Sequence, residues 1–275
     1  MRTNFHGAIV TALLLLFLLQ DPPAAVPTSE WFPEDLVYRH PLADPRAPVT
    51  GVQFQFPVDS DDNMKVENRL ATQIAIWRRS EGDGAFEVQA EGAVFGRFDF
   101  QEKWDMDGAD FRFGFPVVWR EGAYAFKIHP WHLTSHIGDE YSERTGVKRI
   151  NYSRNELTIG VSWDAEPEWR VYGEIGYALW RGDVNEYWRL MGGVETVGRH
   201  LGPEWPVSFA ALNLTCFQEQ DWEVQFNLEA GVWFRPEGTN RGVRFHLGYF
   251  RGPSALTQFL VDHEEYWTFG FALPF

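Results

Sequence analysis

The densest chemistry-bearing stretch of the chain lies between residues 129 and 156. It holds His129, His132, Thr134, Ser135, His136, Asp139, Glu140 and Tyr141, then Arg149, Asn151, Tyr152, Ser153, Arg154, Asn155 and Glu156; three of the chain's 8 histidines are here. One chemistry that uses such residues is acyl transfer, in which a histidine takes a hydroxyl proton while an amide or carboxylate orients its ring. His132 or His136 would be the base, Ser135 the nucleophile, and Asn151 or Asn155 the orienting group. The spacing opposes this on a regular strand. His132-x-x-Ser135 and Ser135-His136 set base and nucleophile on opposite faces, where only His132, Thr134 and His136 coincide. A metal site is the second chemistry, but His132 and His136 stand about 13 Å apart on a strand rising ~3.3 Å per residue. A bulge or turn near Gly138 would have to bring them together, or Asp139 and Glu140 would hold calcium with Asp262, Glu264 or Glu265. The third reading is structural or binding, and it is the favoured one. Asp139, Glu140, Tyr141, Arg149, Tyr152 and Arg154 would pair with one another and pin a loop, with no cofactor.

Whatever these residues do, strands must position them. From Thr50 onward apolar and polar residues alternate with a period of two, the mark of strands with two different faces. In Trp222–Val232 the apolar row is Trp222, Val224, Phe226, Leu228, Ala230 and Val232, against Glu223, Gln225, Asn227 and Glu229. Trp169–Leu179 and Phe111–Trp119 repeat the pattern, and others read as 50–58, 66–78, 85–98, 123–133, 150–163, 186–198, 206–217, 242–250 and 265–275. That makes about twelve strands of about 9–14 residues, longer than the ~5–6 usual in soluble sheets and close to what a tilted strand needs to cross a bilayer. On this register 123–136 and 149–163 form an antiparallel pair, and the polar cluster gathers at one rim.

The inverted arrangement suits this sequence: apolar residues outward to lipid, polar residues inward, aromatic girdles at both interfaces. Trp77, Trp119, Trp163, Trp169 and Trp222 fall at apolar strand ends. Glu87, Glu91, Arg112, Lys127, Glu156, Arg170, Glu174, Arg189, Glu195, Glu223, Glu229 and Arg244 supply both signs of charge to the polar faces. Composition agrees: 16% of the chain is aromatic, including Trp 13 and Phe 23. A formal net charge of −15 speaks against a nucleic-acid partner. Cys216 is the single cysteine, so no intramolecular disulfide forms. Asn151-Tyr-Ser153 and Asn213-Leu-Thr215 fit glycosylation acceptors but lie in expected strands.

The expected class is therefore all-β: a single closed antiparallel transmembrane β-barrel over residues 50–275. Before it, Arg2 and the apolar run Ala8–Leu19 followed by small residues read as a signal peptide over 1–25, cleaved near Ala25. Residues 26–49 carry five prolines and form an arm, at the periplasmic side or inside the lumen. Residues 251–264 read as a short helix or long loop. A barrel of this size is narrow and its charges largely fill it, leaving at most a pore for small solutes.

The chain ends Trp267-Thr-Phe-Gly-Phe-Ala-Leu-Pro-Phe275, with every second residue back from Phe275 apolar. This resembles the terminal strand of bacterial outer-membrane barrels, and implies the outer membrane as location, its lipids as partners, and Phe275 as the contact for the barrel-assembly machinery. Trp31-Phe-Pro, His40–Arg46, His132–Tyr141 and Arg149–Glu156 resemble the blocks of a bacterial family known as domain of unknown function 1207. That resemblance implies a secreted, outer-membrane protein and supplies no activity. The outer-membrane phospholipase A family is similar in strand number and uses His, Ser and Asn with calcium. It carries His-x-Ser on one strand face, a spacing His132 and Ser135 do not keep. Deleting Phe275, or replacing it with a charged residue, should deplete the heat-modifiable folded band from outer-membrane fractions. Normal yield of that band would refute the terminal-signal reading.

Overall fold

A computed structural model describes residues 27–59, 61–166, 168–182, 186–199, 206–236, 239 and 241–274. The expected signal peptide and Phe275 lie outside the described residues. Strand β1 (Thr28–Trp31) is followed by β2 (Thr50–Pro57), β3 (Lys65–Glu81) and β4 (Gly84–Asp99). Then come β5 (Asp105–Gly114), β6 (Val117–Glu121), β7 (Tyr124–Ile137), a short helix α1 (Asp139–Thr145), β8 (Tyr152–Glu166) and β9 (Trp169–Arg181). The rest is β10 (Trp188–Val197), β11 (Val207–Phe217), β12 (Val224–Phe234), β13 (Val243–Pro253) and β14 (His263–Leu273).

All neighbours pair antiparallel, and β14 returns to β2 with Phe271 opposite Val52 and Leu273 opposite Thr50. The result is a closed 12-strand barrel, as the periodicity predicts. β5 and β6 share one place in its wall, both lying between β4 and β7. Here the expectation of one unbroken strand over Phe111–Trp119 is corrected. Pro116 has no N–H to donate and splits it, although Phe111, Phe113, Phe115 and Trp119 all stay outward. A second correction concerns the start of β12. Trp222 stands in the preceding turn at φ 63. Glu223 is exposed at the rim, 3.1 Å from His263, so the inward row begins at Gln225.

The faces are inverted relative to a soluble barrel. Leu70, Phe113, Ile159, Leu179, Leu228, Leu247 and Phe269 are exposed, while Glu87, Lys127, Glu156, Glu195 and Glu229 are buried. No helix among the described residues is long and apolar enough to cross a membrane; the wall is strand. Aromatic pairs mark both ends: Tyr124 stacks on Trp163 near the two-residue turns at 82–83 and 122–123, and Tyr249 packs on Trp267 near the longer loops.

The lumen is filled. Residues 33–48 run through it without regular structure, so their backbone groups need partners from the wall. Val37 N–H donates to Glu87 (3.0 Å) and Leu42 N–H to Glu195 (2.8 Å). The Tyr38 and Ala43 carbonyls accept from Gln89 (3.2 Å) and Asn227 (2.7 Å). The arm's side chains join the wall's ion pairs: His40 reaches Glu91 (2.5 Å), Arg46 reaches Glu67 (3.0 Å), and Tyr38 donates to Glu174 (3.2 Å). From the opposite end the loop 254–262 folds inward and buries Leu256, Phe259 and Leu260. Thr257 donates its hydroxyl to Asp110 (2.5 Å), and Gln258 bridges the carbonyls of Ser135 and Ile150 at 2.9 Å each.

Glu91 is a hub of this network, touching His40, Arg112 (2.8 Å) and His129 (3.3 Å). Replacing one member of a buried ion pair typically costs about 3–5 kcal/mol, because the partner charge stays behind. Glu91→Leu should therefore lower the temperature at which the folded band converts on heating, and Glu91→Gln should lower it less. An unchanged conversion temperature for Glu91→Leu would show that the network contributes little.

Candidate functional site

Strand parity sorts the 129–156 cluster into three separate places. On the lumen side, Ser135 is buried opposite Asp110 on β5 and Tyr152 on β8. Tyr152 donates to Glu219 (2.6 Å). Arg154 is fully buried between Glu156 (2.7 Å) and Glu219 (2.9 Å), and donates to the carbonyls of Glu186 and Tyr187. Burial pushes the Glu219 carboxyl, on the turn after β11, above its ordinary range, with Arg154 and Tyr152 opposing. These residues brace the loop end of the barrel from within.

On the outer wall stand His132, Thr134, His136 and Asn155. His132 Nδ1 and Asn155 Oδ1 are 2.8 Å apart across the β7–β8 pair, and the imidazole lies against Phe113 with centroids 5.2 Å apart. His136 meets the Phe111 ring edge-on at 5.7 Å. Thr134 sits between Phe111 on β5 and Ser153 on β8. These four form a polar cluster on a wall that is mostly apolar and aromatic.

At the rim, Asp139 and Glu140 open helix α1 and are exposed, as are Arg149 and Asn151. Tyr141 packs edge-on against Phe259 (5.2 Å), and burial raises its hydroxyl pKa above the usual value.

The structure thus brings His132 and Asn155 together and keeps Ser135 away from both histidines, because β7 runs unbroken from Tyr124 to Ile137. Asn151 lies at the rim, apart from His132 and His136 on the wall. The mutual pairing expected of Arg149, Arg154, Asp139 and Glu140 is corrected. Arg154 is committed to Glu156 and Glu219, and the other three make no ion pair among the described residues. For a metal the donor set does not fit. His132 and His136 remain four residues apart on a regular strand, about 13 Å. Glu264 pairs with Arg97 (2.5 Å) and Glu265 accepts from Tyr249 (2.6 Å). Among the described residues no three His, Cys, Asp or Glu side chains are grouped to hold a metal ion.

Sequence reading missed Glu219 and Gln258, which no local pattern distinguishes. Glu219 follows β11 in the single 3-10 turn Gln218–Gln220, and Gln258 acts only because its loop turns inward.

A closed wall with an apolar outside and a charged, packed inside defines the chain as a membrane-type β-barrel. The family model for "Protein of unknown function (DUF1207)" matches residues 22–275, and the chain belongs to that family. A search of curated proteins gave no match. Among solved structures, the outer membrane phospholipase A of Escherichia coli is similar with a TM-score of 0.52 at 12% identity, over 88% of this chain and 93% of that one. The Salmonella typhi outer membrane phospholipase dimer with bound calcium is similar at 0.52 and 13% identity, over 86% and 92%. A KdgM porin aligns at 0.45 and 8% identity, over 82% and 98%. These likenesses concern the fold alone.

Proposed function

We propose that this chain is a sealed outer-membrane barrel with a structural or binding role, and that its working surfaces are the outer wall and the loop rim, with no passage through the middle. The observation that carries this is the double filling of the lumen, by the 33–48 arm from one end and the 254–262 loop from the other. In this reading a signal peptide is removed, the short turns face the periplasm, and the long loops face outward. Membrane lipids surround the wall, and the terminal strand engages the assembly machinery. Buried ion pairs tie the arm down at several heights, so its release would break many contacts at once. The wild-type protein in planar bilayers should give no steady single-channel current. A variant carrying His40→Ala and Arg46→Ala should open measurable current through a loosened arm. Large steady currents from the wild type would overturn the sealed reading in favour of a pore.

A second reading, acyl hydrolysis, is supported by the Asn155–His132 contact with Thr134 on the same face of β7. The amide would orient the ring, His132 would accept the hydroxyl proton, and Thr134 rather than Ser135 would attack a lipid ester. The phospholipase neighbours are consistent with a barrel wall hosting such chemistry. In mixed micelles the test is fatty-acid release, with His132→Ala and Thr134→Val abolishing it and Ser135→Ala sparing it. No release from the wild type, or equal release from all three variants, removes this reading.

A further inference from the structure

Next to the polar cluster on the wall the outer surface is indented. On β4 and β5, Gly96 and Ala109 leave a mainly apolar groove lined by Leu70, Val94, Phe98 and Phe111, with Asn68 and His136 as its polar members. Beside it a register shift at Arg97/Phe98 sets Met106 opposite Phe98. Toward the loops the groove adjoins a polar cavity, and Phe98, Met106, His136 and Ile137 line both. That cavity is rimmed by Lys103, Arg149, Asp139 and Glu140. Asp105 also lines it and shares Arg144 with Glu102, at 3.7 and 3.9 Å, whereas the four rim ions have no ion-pair partner among the described residues. Trp104, edge-on to Phe100 at 5.0 Å, marks this level as the aromatic belt, the depth at which lipid head groups begin.

We infer that groove and cavity together form a binding site for one zwitterionic glycerophospholipid. An acyl chain lies in the groove over Gly96 and Ala109. The phosphate meets Lys103 and Arg149, and the ammonium meets Asp139 and Glu140. The charge balance favours this class, because two cations and two carboxylates around one opening match a head group carrying both signs. An anionic lipid would satisfy the cations and face the carboxylates unpaired. Half-buried His136 sits at the junction, level with the start of the acyl chains. This inference stands apart from the hydrolase reading, since binding needs neither His132 nor Thr134.

The test is native mass spectrometry of the full folded chain, equilibrated in detergent with equal phosphatidylethanolamine and phosphatidylglycerol. One phosphatidylethanolamine should survive detergent removal, preferred over phosphatidylglycerol by about tenfold. Asp139→Asn with Glu140→Gln should erase the preference, Lys103→Gln with Arg149→Gln should weaken retention of both lipids, and Ala109→Trp should fill the groove and abolish retention. Heat-modifiability checks that each variant is folded. Equal retention of both lipids, preference for the anionic one, or retention unaffected by Ala109→Trp would each overturn the site. A second copy of the chain held in place of lipid, and lost with Ala109→Trp, would overturn it in favour of a dimer face.

Discussion

Everything in this structure depends on the backbone hydrogen bonds that close the wall. Lipid offers no partner for an N–H or C=O, so a strand survives there only between two neighbours, and the last must find the first. The β14–β2 seam supplies that join, with Phe271 across from Val52. Once the ring is closed, the alternation along each strand has one consistent outcome. Most of the phenylalanine, leucine and tryptophan in the wall faces outward, with Phe95, Phe209, Phe250 and Trp233 buried inside, and glutamate and arginine are gathered into a narrow bore. The charged interior is a consequence of closure, and it sets the next problem.

Charges confined this way must be neutralised by one another or by something inserted among them. Both occur here. Glu156 is held between Arg154 and Arg189 (2.9 Å), and Glu174 between Lys127 (2.5 Å) and Arg189 (3.5 Å). Guanidinium groups also lie over rings, as Arg170 does over Tyr38 at 4.8 Å and Arg97 over Phe259 at 4.7 Å. The arm is therefore a constituent of the interior. Its prolines keep it from forming its own ladder, which frees its backbone groups for the wall's carboxylates and amides.

Much of the wall was legible in the sequence because strand periodicity is local. Gln225, Asn227 and Glu229 turn inward and Val224 and Leu228 outward, as their spacing requires. The same parity separates Ser135 from His132. Pro116 went unread as a break because the apolar row continues through it in phase. The contents of the bore were less legible, since they rest on contacts between distant positions. Nothing in the sequence ties Leu42 to Glu195 or Gln258 to Ser135. The polar cluster at 129–156 was visible as a composition, but its division among bore, wall and rim needed the register of β5, β7 and β8.

The arm's attachments have a bearing on the order of events during biogenesis. Its partners sit on β4, β9, β10 and β12, so they surround it on several sides, like spokes around an axle. The axle also leads directly into β2, one lip of the closing seam. Both ends of the arm lie at the short-turn end, since β1 pairs with Trp77–Ser80 and Thr50 opens β2 beside Leu273. A finished ring would therefore have to admit it as a folded loop, whereas a sheet still curling can wrap a segment already lying along it. The geometry thus favours a sequence in which the wall is wound around the arm, with the zipping of β14 onto β2 as the step that traps it.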